Sequence, residues 1–197
     1  MKLDFIGDAL DHWKGSLFSS LQRAALLRDF RVDPMASDGE RWQPRDWKIL
    51  GNLLTIEPDQ IVEHEENLQN RAAYFSEIPR KCDLFLDPDT GIATGHVKQM
   101  VKYVRPEEIG GLLEGSAERL LIVYQHAARR QRLADRVDRV WTALTDKVTG
   151  LRCCTYESGS VAMFFLARDS ARLKRVAKHF RKFLGRHAKR RIRTWNV

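Results

Sequence analysis

The chain has 197 residues, 43% of them hydrophobic and 30% charged, with a formal net charge of +8. That is enough apolar material for one folded core and short of two comfortable domains, so a single α/β domain over 1–197 is expected. No run approaches the eighteen apolar residues of a membrane span, residues 1–5 lack the layout of a secretory signal, and three cysteines (Cys82, Cys153, Cys154) exclude a disulfide framework. A cytoplasmic compartment is the expectation.

In chain order, Ser16 to Leu27 carries Leu17, Phe18, Leu21 and Ala24 at helical spacing. Phe30-Arg31-Val32 reads as a short strand ending at Asp33-Pro34, because proline cannot continue a central ladder. Two helices are expected next, Pro44–Leu54 and Pro58–Phe75, each with proline in its first turn. Asp83–Asp87 is a buried strand stopped by Pro88, and Leu120–Tyr124 is a second one leading into a long helix from about Ala127 to Val148. Leu151–Tyr156 and Val161–Ala167 flank Glu157-Ser158-Gly159-Ser160, a hairpin signal. The last helix is expected to bury Leu173, Val176, Ala177, Phe180, Phe183 and Leu184. This order predicts a Rossmann-like α/β fold with a mostly parallel sheet, a C-terminal antiparallel hairpin and a basic C-terminal helix and tail over 170–197.

Sites in such sheets lie beyond the carboxyl ends of the strands, which selects Asp33, Asp87, Asp89 and Gln125-His126. In Asp87-Pro88-Asp89-Thr90-Gly91, two carboxylates can hold a hard cation such as magnesium, or one can accept a proton or hydrogen-bond a substrate amine; the same residues also make ordinary turns. Asp87, Asp89 and His126 are the candidate catalytic residues. In Gly7-Asp8-x-x-Asp11-x-x-Lys14-Gly15, a helix puts Asp8, Asp11 and Lys14 on one face, as a solvated ladder or as a lysine presented to an anion. Arg129, Arg130 and Arg132 offer phosphate contacts at the start of the long helix.

The charge is unevenly placed. Ser170 to Val197 holds eleven of the 34 Lys and Arg and no acid, so residues 1–169 carry 23 basic against 26 acidic side chains. A solvated helix face normally mixes signs. Lys182, Arg186, Lys189, Arg190, Arg191 and Arg193 are therefore the candidate nucleic-acid contacts, with an anionic membrane or an acidic protein as the other options.

These pieces together resemble class I S-adenosylmethionine-dependent methyltransferases, the ribosomal-RNA adenine-N6 group in particular. Gly7, Asp11 and Lys14 match the spacing of that family's Gly-Asn-x-x-Asp-x-x-Lys, and Asp33-Pro34-Met35-Ala36-Ser37-Asp38-Gly39 is similar in outline to its Asp-x-x-Ala-Gly-x-Gly. Asp87-Pro88-Asp89-Thr90 stands where the family has Asp-Pro-Pro-Tyr. The chain departs from the family in Ser37, Asp38 and the missing aromatic, and Asp83 follows Gly39 by only 44 residues, one strand–helix unit short. It is more similar to uncharacterised bacterial proteins with Gly-Asp-x-x-Asp-x-x-Lys and Asp-Pro-Asp-x-Gly. The resemblance implies an S-adenosylmethionine (SAM) cofactor held by Lys14, Asp11, Asp33 and Gly39, with Asp87 on the target amine. The alternatives are a magnesium-dependent nuclease or phosphodiesterase, with Asp87, Asp89 and either Asp8 or Asp11 on the metal and Lys14 stabilising phosphate charge, and a non-catalytic nucleic-acid-binding protein.

Overall fold

The computed structural model describes residues 1–37, 39, 42–127 and 131–197. Its centre is a six-stranded sheet in the order β1-β2-β5-β7-β6-β8. Helix α1 (Ala9–Arg23) precedes β1 (Arg31–Asp33); α2 (Pro44–Leu54) and the short α3 (Arg71–Ser76) lead to β2 (Leu84–Leu86). The strands β3 (Gly91–Ile92) and β4 (Tyr103–Val104) form a separate parallel pair, followed by α4 (Pro106–Leu113), β5 (Leu121–His126) and α5 (Leu133–Thr145). The chain closes with β6 (Arg152–Ser158), β7 (Val161–Ala167), α6 (Ser170–Leu184) and β8 (Ile192–Trp195).

The strands β1, β2 and β5 run parallel, in the register Val32–Phe85–Ile122. The strand β7 reverses between β5 and β6, and β8 pairs antiparallel with the outer edge of β6. Because side chains alternate across a pleat, each central strand feeds two cores. Phe85, Ile122, Tyr124 and Phe165 face α1, α2 and α6, while Leu84, Leu86, Val123 and Phe164 face α4 and α5. Helix α1 lies close on α2 because residue 15 is glycine: a Cβ there would stand 2.0 Å from the Leu53 carbonyl oxygen. That contact sets the register in which Lys14 meets the sheet.

Several expectations are corrected. Pro58–Phe75 is not one continuous helix: of these residues only Arg71–Phe75 are α-helical, in α3. After one 3-10 turn (Pro58–Gln60), Ile61 bridges in parallel to Val32 and the Val62 amide donates to the Val32 carbonyl (2.8 Å), so this segment extends along β1. Helix α5 starts at Leu133 rather than near Ala127, because β5 continues through His126 opposite Val161. Phe183 is 61% exposed: Leu184 takes the packing position in the last turn of α6. The residues expected as a tail include an edge strand, β8. No helix among the described residues is long and apolar enough to cross a membrane.

Candidate functional site

After β1 the chain goes to Ile61 on one side of that strand and returns to β2 on the other. The carboxyl end of β1 is therefore a topological switch point, where open α/β sheets form ligand crevices. Two cavities open there.

The first, of about 360 Å³, is lined by Asp8, Asp11, Lys14, Asp87, Asp89, Thr90, Lys102, Tyr124 and His126, with Met1, Lys2 and Phe5 among the rest. The acidic ladder on α1 has separate duties. Asp8 caps the helix, accepting from the Leu10 (2.7 Å) and Asp11 (3.1 Å) amides. Asp11 accepts from the Gly7 amide (2.9 Å) and from Lys14 Nζ (3.0 Å). Lys14 Nζ reaches Asp87 Oδ2 at 2.7 Å and lies 4.6 Å from the centroid of the Tyr124 ring. All three members of the Asp11–Lys14–Asp87 group are buried. Burial opposes the Lys14 charge, but the two carboxylates outweigh it and its pKa is raised. His126 goes the other way: burial and then the Lys14 charge lower its pKa, leaving a neutral imidazole whose Nε2 lies 3.0 Å from the Tyr124 hydroxyl.

Between the cavities stands a cage of acceptors. The carbonyls of Pro34, Met35 and Asp87 (3.0, 2.8 and 3.0 Å) and Asp89 Oδ1 (3.0 Å) surround one primary ammonium, that of Met1. Ser37 Oγ donates to the other Asp89 oxygen (2.7 Å). Burial raises the Asp89 pKa, but the ammonium and Ser37 outweigh it and the pKa falls below the usual carboxylate value. Met35, fully buried, holds φ of 46°, a left-handed conformation that non-glycine residues adopt rarely and often at functional sites.

The second cavity, of about 450 Å³, is lined by Asp33, Pro34, Gly39, Trp42, Trp47, Glu63, His64 and Tyr74. The indoles of Trp42 and Trp47 stack at 4.5 Å. Asp33 Oδ1 accepts from the Met35 amide (2.8 Å) and the Tyr74 hydroxyl (2.6 Å), while Oδ2 faces His64 Nε2 at 3.3 Å outside hydrogen-bond geometry. Trp42 Nε1 is buried with no hydrogen-bond partner among the described residues.

Lys14, Asp11, Asp87, Asp89 and His126 thus share one cavity, whereas Asp33 and Gly39 line the other. The proposed cofactor residues are divided between the two, with the cage at their junction. Asp8, Asp87 and Asp89 do not converge as a metal site: each carboxylate serves a helix end, a lysine or the cage, and the described residues contain no group of three metal-ligating side chains. Arg132 is exposed at the start of α5, while Asp38, Arg129 and Arg130 lie outside the described residues. Trp42, Trp47, Glu63, His64 and Tyr74 escaped the sequence reading. Two tryptophans flanking Pro44 in a polar stretch were the available signal.

Of the eleven C-terminal cations, Arg172 is buried against Asp83. Arg193, partly exposed, pairs with Glu157 (2.5 Å) and Asp138 (2.8 Å), so its charge is already partnered within the chain. The other nine, including Lys182, Arg186, Lys189, Arg190 and Arg191, are exposed, and none forms an ion pair among the described residues.

No family model, no curated protein and no solved structure matches this chain. The three cysteines are no part of the site: burial pushes Cys154 up to about 12 and also raises Cys82 and Cys153, which leaves all three as protonated thiols.

The two cavity histidines should titrate on opposite sides of the ordinary imidazole value of about 6.5. Burial opposes the His64 charge, but Asp33 and Glu77 outweigh it and raise its pKa. Its stabilising contribution is complete below about pH 6.5 and is lost as pH rises through the folded value. His126, with a lowered pKa, destabilises the fold as pH falls from about 6.5 through its folded value. NMR titration of the ring protons checks both, and Asp33→Asn should bring His64 down while leaving His126 in place. Both rings titrating together near 6.5 would contradict the described electrostatics.

Proposed function

We propose that the protein is a nucleic-acid-acting enzyme of Rossmann-like, methyltransferase-like fold with S-adenosylmethionine as cofactor. The observation that carries this reading is the cage at the switch point, where three carbonyls and Asp89 hold a primary ammonium between the two cavities. The cofactor has a primary ammonium at one end and a purine nucleoside at the other. The cage would hold that ammonium in place of Met1's. The purine would lie on an outer face of the stacked Trp42–Trp47 pair, and Asp33 Oδ2 and Trp42 Nε1, both buried and without a hydrogen bond among the described residues, would meet polar groups of the nucleoside. The second cavity lies within the size range of small-ligand sites. When bound, the cofactor supplies an electrophilic methyl group.

In the first cavity, Asp87 orients an amine of the substrate through its carboxylate. Lys14 keeps that carboxylate in place and offsets its charge. His126 is neutral at neutral pH. With Nε2–H donated to the Tyr124 oxygen, its Nδ1 can take up the proton that the amine releases. The unpaired C-terminal cations supply phosphate contacts. The reversed strand β7 between β5 and β6 agrees with the antiparallel end that the methyltransferase resemblance implies.

Calorimetry on the purified protein tests this reading. Titration with S-adenosylmethionine should give saturable heat, and Asp33→Asn and Trp47→Ala should each weaken binding by about tenfold, roughly one lost hydrogen bond or ring contact. Magnesium should give no site-specific heat. Binding of magnesium without any binding of the cofactor would overturn the proposal in favour of the metal-dependent alternative.

A further inference from the structure

The exposed cations and Phe183 occupy a defined place relative to the first cavity. Helix α6 starts at the amino end of the parallel strands, where Arg172 pairs with Asp83 and donates to the Glu118 carbonyl. It runs to the carboxyl end, where the Phe180 ring lies 5.4 Å from that of Tyr156. The next turn carries Phe183, and the segment after it, the 3-10 helix Gly185–Arg190, delivers Arg191 to the end of β6, where its carbonyl accepts from the Glu157 amide (2.8 Å). At this same end of the sheet His126 pairs with Val161, Val161 with Ser158, and Tyr156 with Ile192. Three strand spacings, about 15 Å, separate the His126 strand from the strand that follows the basic segment.

We propose that Phe183 is a stacking platform for an unpaired base of single-stranded nucleic acid, with Lys182, Arg186, Lys189 and Arg190 on the adjoining phosphates and the strand led toward the first cavity. The proposal rests on the reading that the substrate is a nucleic acid and narrows it to single strands. Charge complementarity favours this occupant: 28 residues, Ser170 to Val197, contain no acid, and these four cations are exposed and free of ion pairs among the described residues. A bilayer would require a stripe of apolar residues to insert. The stripe of α6 is already committed to the core through Leu173, Val176, Ala177 and Phe180, which leaves one ring among cations. A duplex keeps its bases stacked on each other, whereas an aromatic side chain amid phosphate-binding residues takes a base that is free to stack.

Fluorescence anisotropy with twelve-nucleotide single strands of RNA and DNA, and with duplexes of the same length, tests the proposal on the full chain. Phe183 is exposed, so Phe183→Ala should fold normally. Its affinity for single strands should fall about five- to hundredfold, the range for loss of one base–aromatic stack, with the salt dependence unchanged. Phe183→Trp should restore binding, and duplex affinity should move less than about twofold. Equal single-strand affinity in the parent and Phe183→Ala would overturn the platform while leaving nucleic-acid binding intact. Absence of any nucleic-acid binding by the parent would overturn both. Phosphatidylserine vesicles bound more tightly than either nucleic acid, with binding lost in Phe183→Ala, would assign the face to a membrane and likewise overturn the proposal.

Discussion

Replacing Lys14 by methionine should cost about 3–5 kcal/mol of folding stability, because it strips from two buried carboxylates the one side-chain cation that pairs with them among the described residues. Asp11 is 1% and Asp87 3% exposed, so little water reaches either carboxylate to replace the ammonium. With urea slopes of roughly 1–3 kcal/mol per molar, the unfolding midpoint should fall by about 2 M. The double variant Lys14→Met/Asp87→Asn should recover a large part of the loss, since it removes one of the two stranded charges. The pairwise coupling in such a cycle should be on the order of 1–3 kcal/mol. In the parent, the Lys14 pKa is raised, so its stabilising contribution is complete below about pH 10.4 and is lost as pH climbs through the folded value. A Lys14→Met protein unfolding within about 0.5 kcal/mol of the parent would mean that the buried triad does not exist in solution.

The second large effect concerns the basic end of the chain. Each phosphate neutralised adds about 0.7–0.9 to the slope of log affinity against log salt. A surface engaging four phosphates should lose about a hundredfold in affinity between roughly 50 and 200 mM salt. Changing Lys182, Arg186, Lys189 and Arg190 together to glutamine should abolish most of that dependence and weaken RNA and DNA binding alike. All four are exposed, so stability should stay within about 0.5 kcal/mol. Arg193 is left alone because it ties β8 to Glu157 and Asp138. Unchanged affinity and slope in the quadruple variant would make these residues an ordinary solvated face.

The strands at Leu84–Leu86 and Leu121–His126 were legible because short apolar runs ending at Pro88 and at Gln125-His126 have few other uses in a chain of this size. The segment Pro58–Phe75 was not legible, because the Val62 amide finds its partner at Val32, a non-local contact that local spacing does not encode. The run Ile192-Arg193-Thr194-Trp195 alternates as an edge strand does, but Arg193 and the basic residues just before it point to charge instead. Lys14 and Asp87 are 73 residues apart and were associated only through the methyltransferase resemblance; Asp11 and Lys14 share a helix face and needed only spacing. The second cavity draws on the ends of β1, the start of α2, the loop after Ile61 and α3. No local pattern brings Trp42, His64 and Tyr74 together.

Transfer of label from methyl-labelled S-adenosylmethionine to single-stranded RNA or DNA tests the central proposal most directly. The parent should place label in the nucleic acid. Asp87→Asn, with folding checked by circular dichroism, should place essentially none while still binding both ligands. No label in any nucleic acid, from a parent protein shown to bind cofactor and single strand together, would contradict the proposed chemistry.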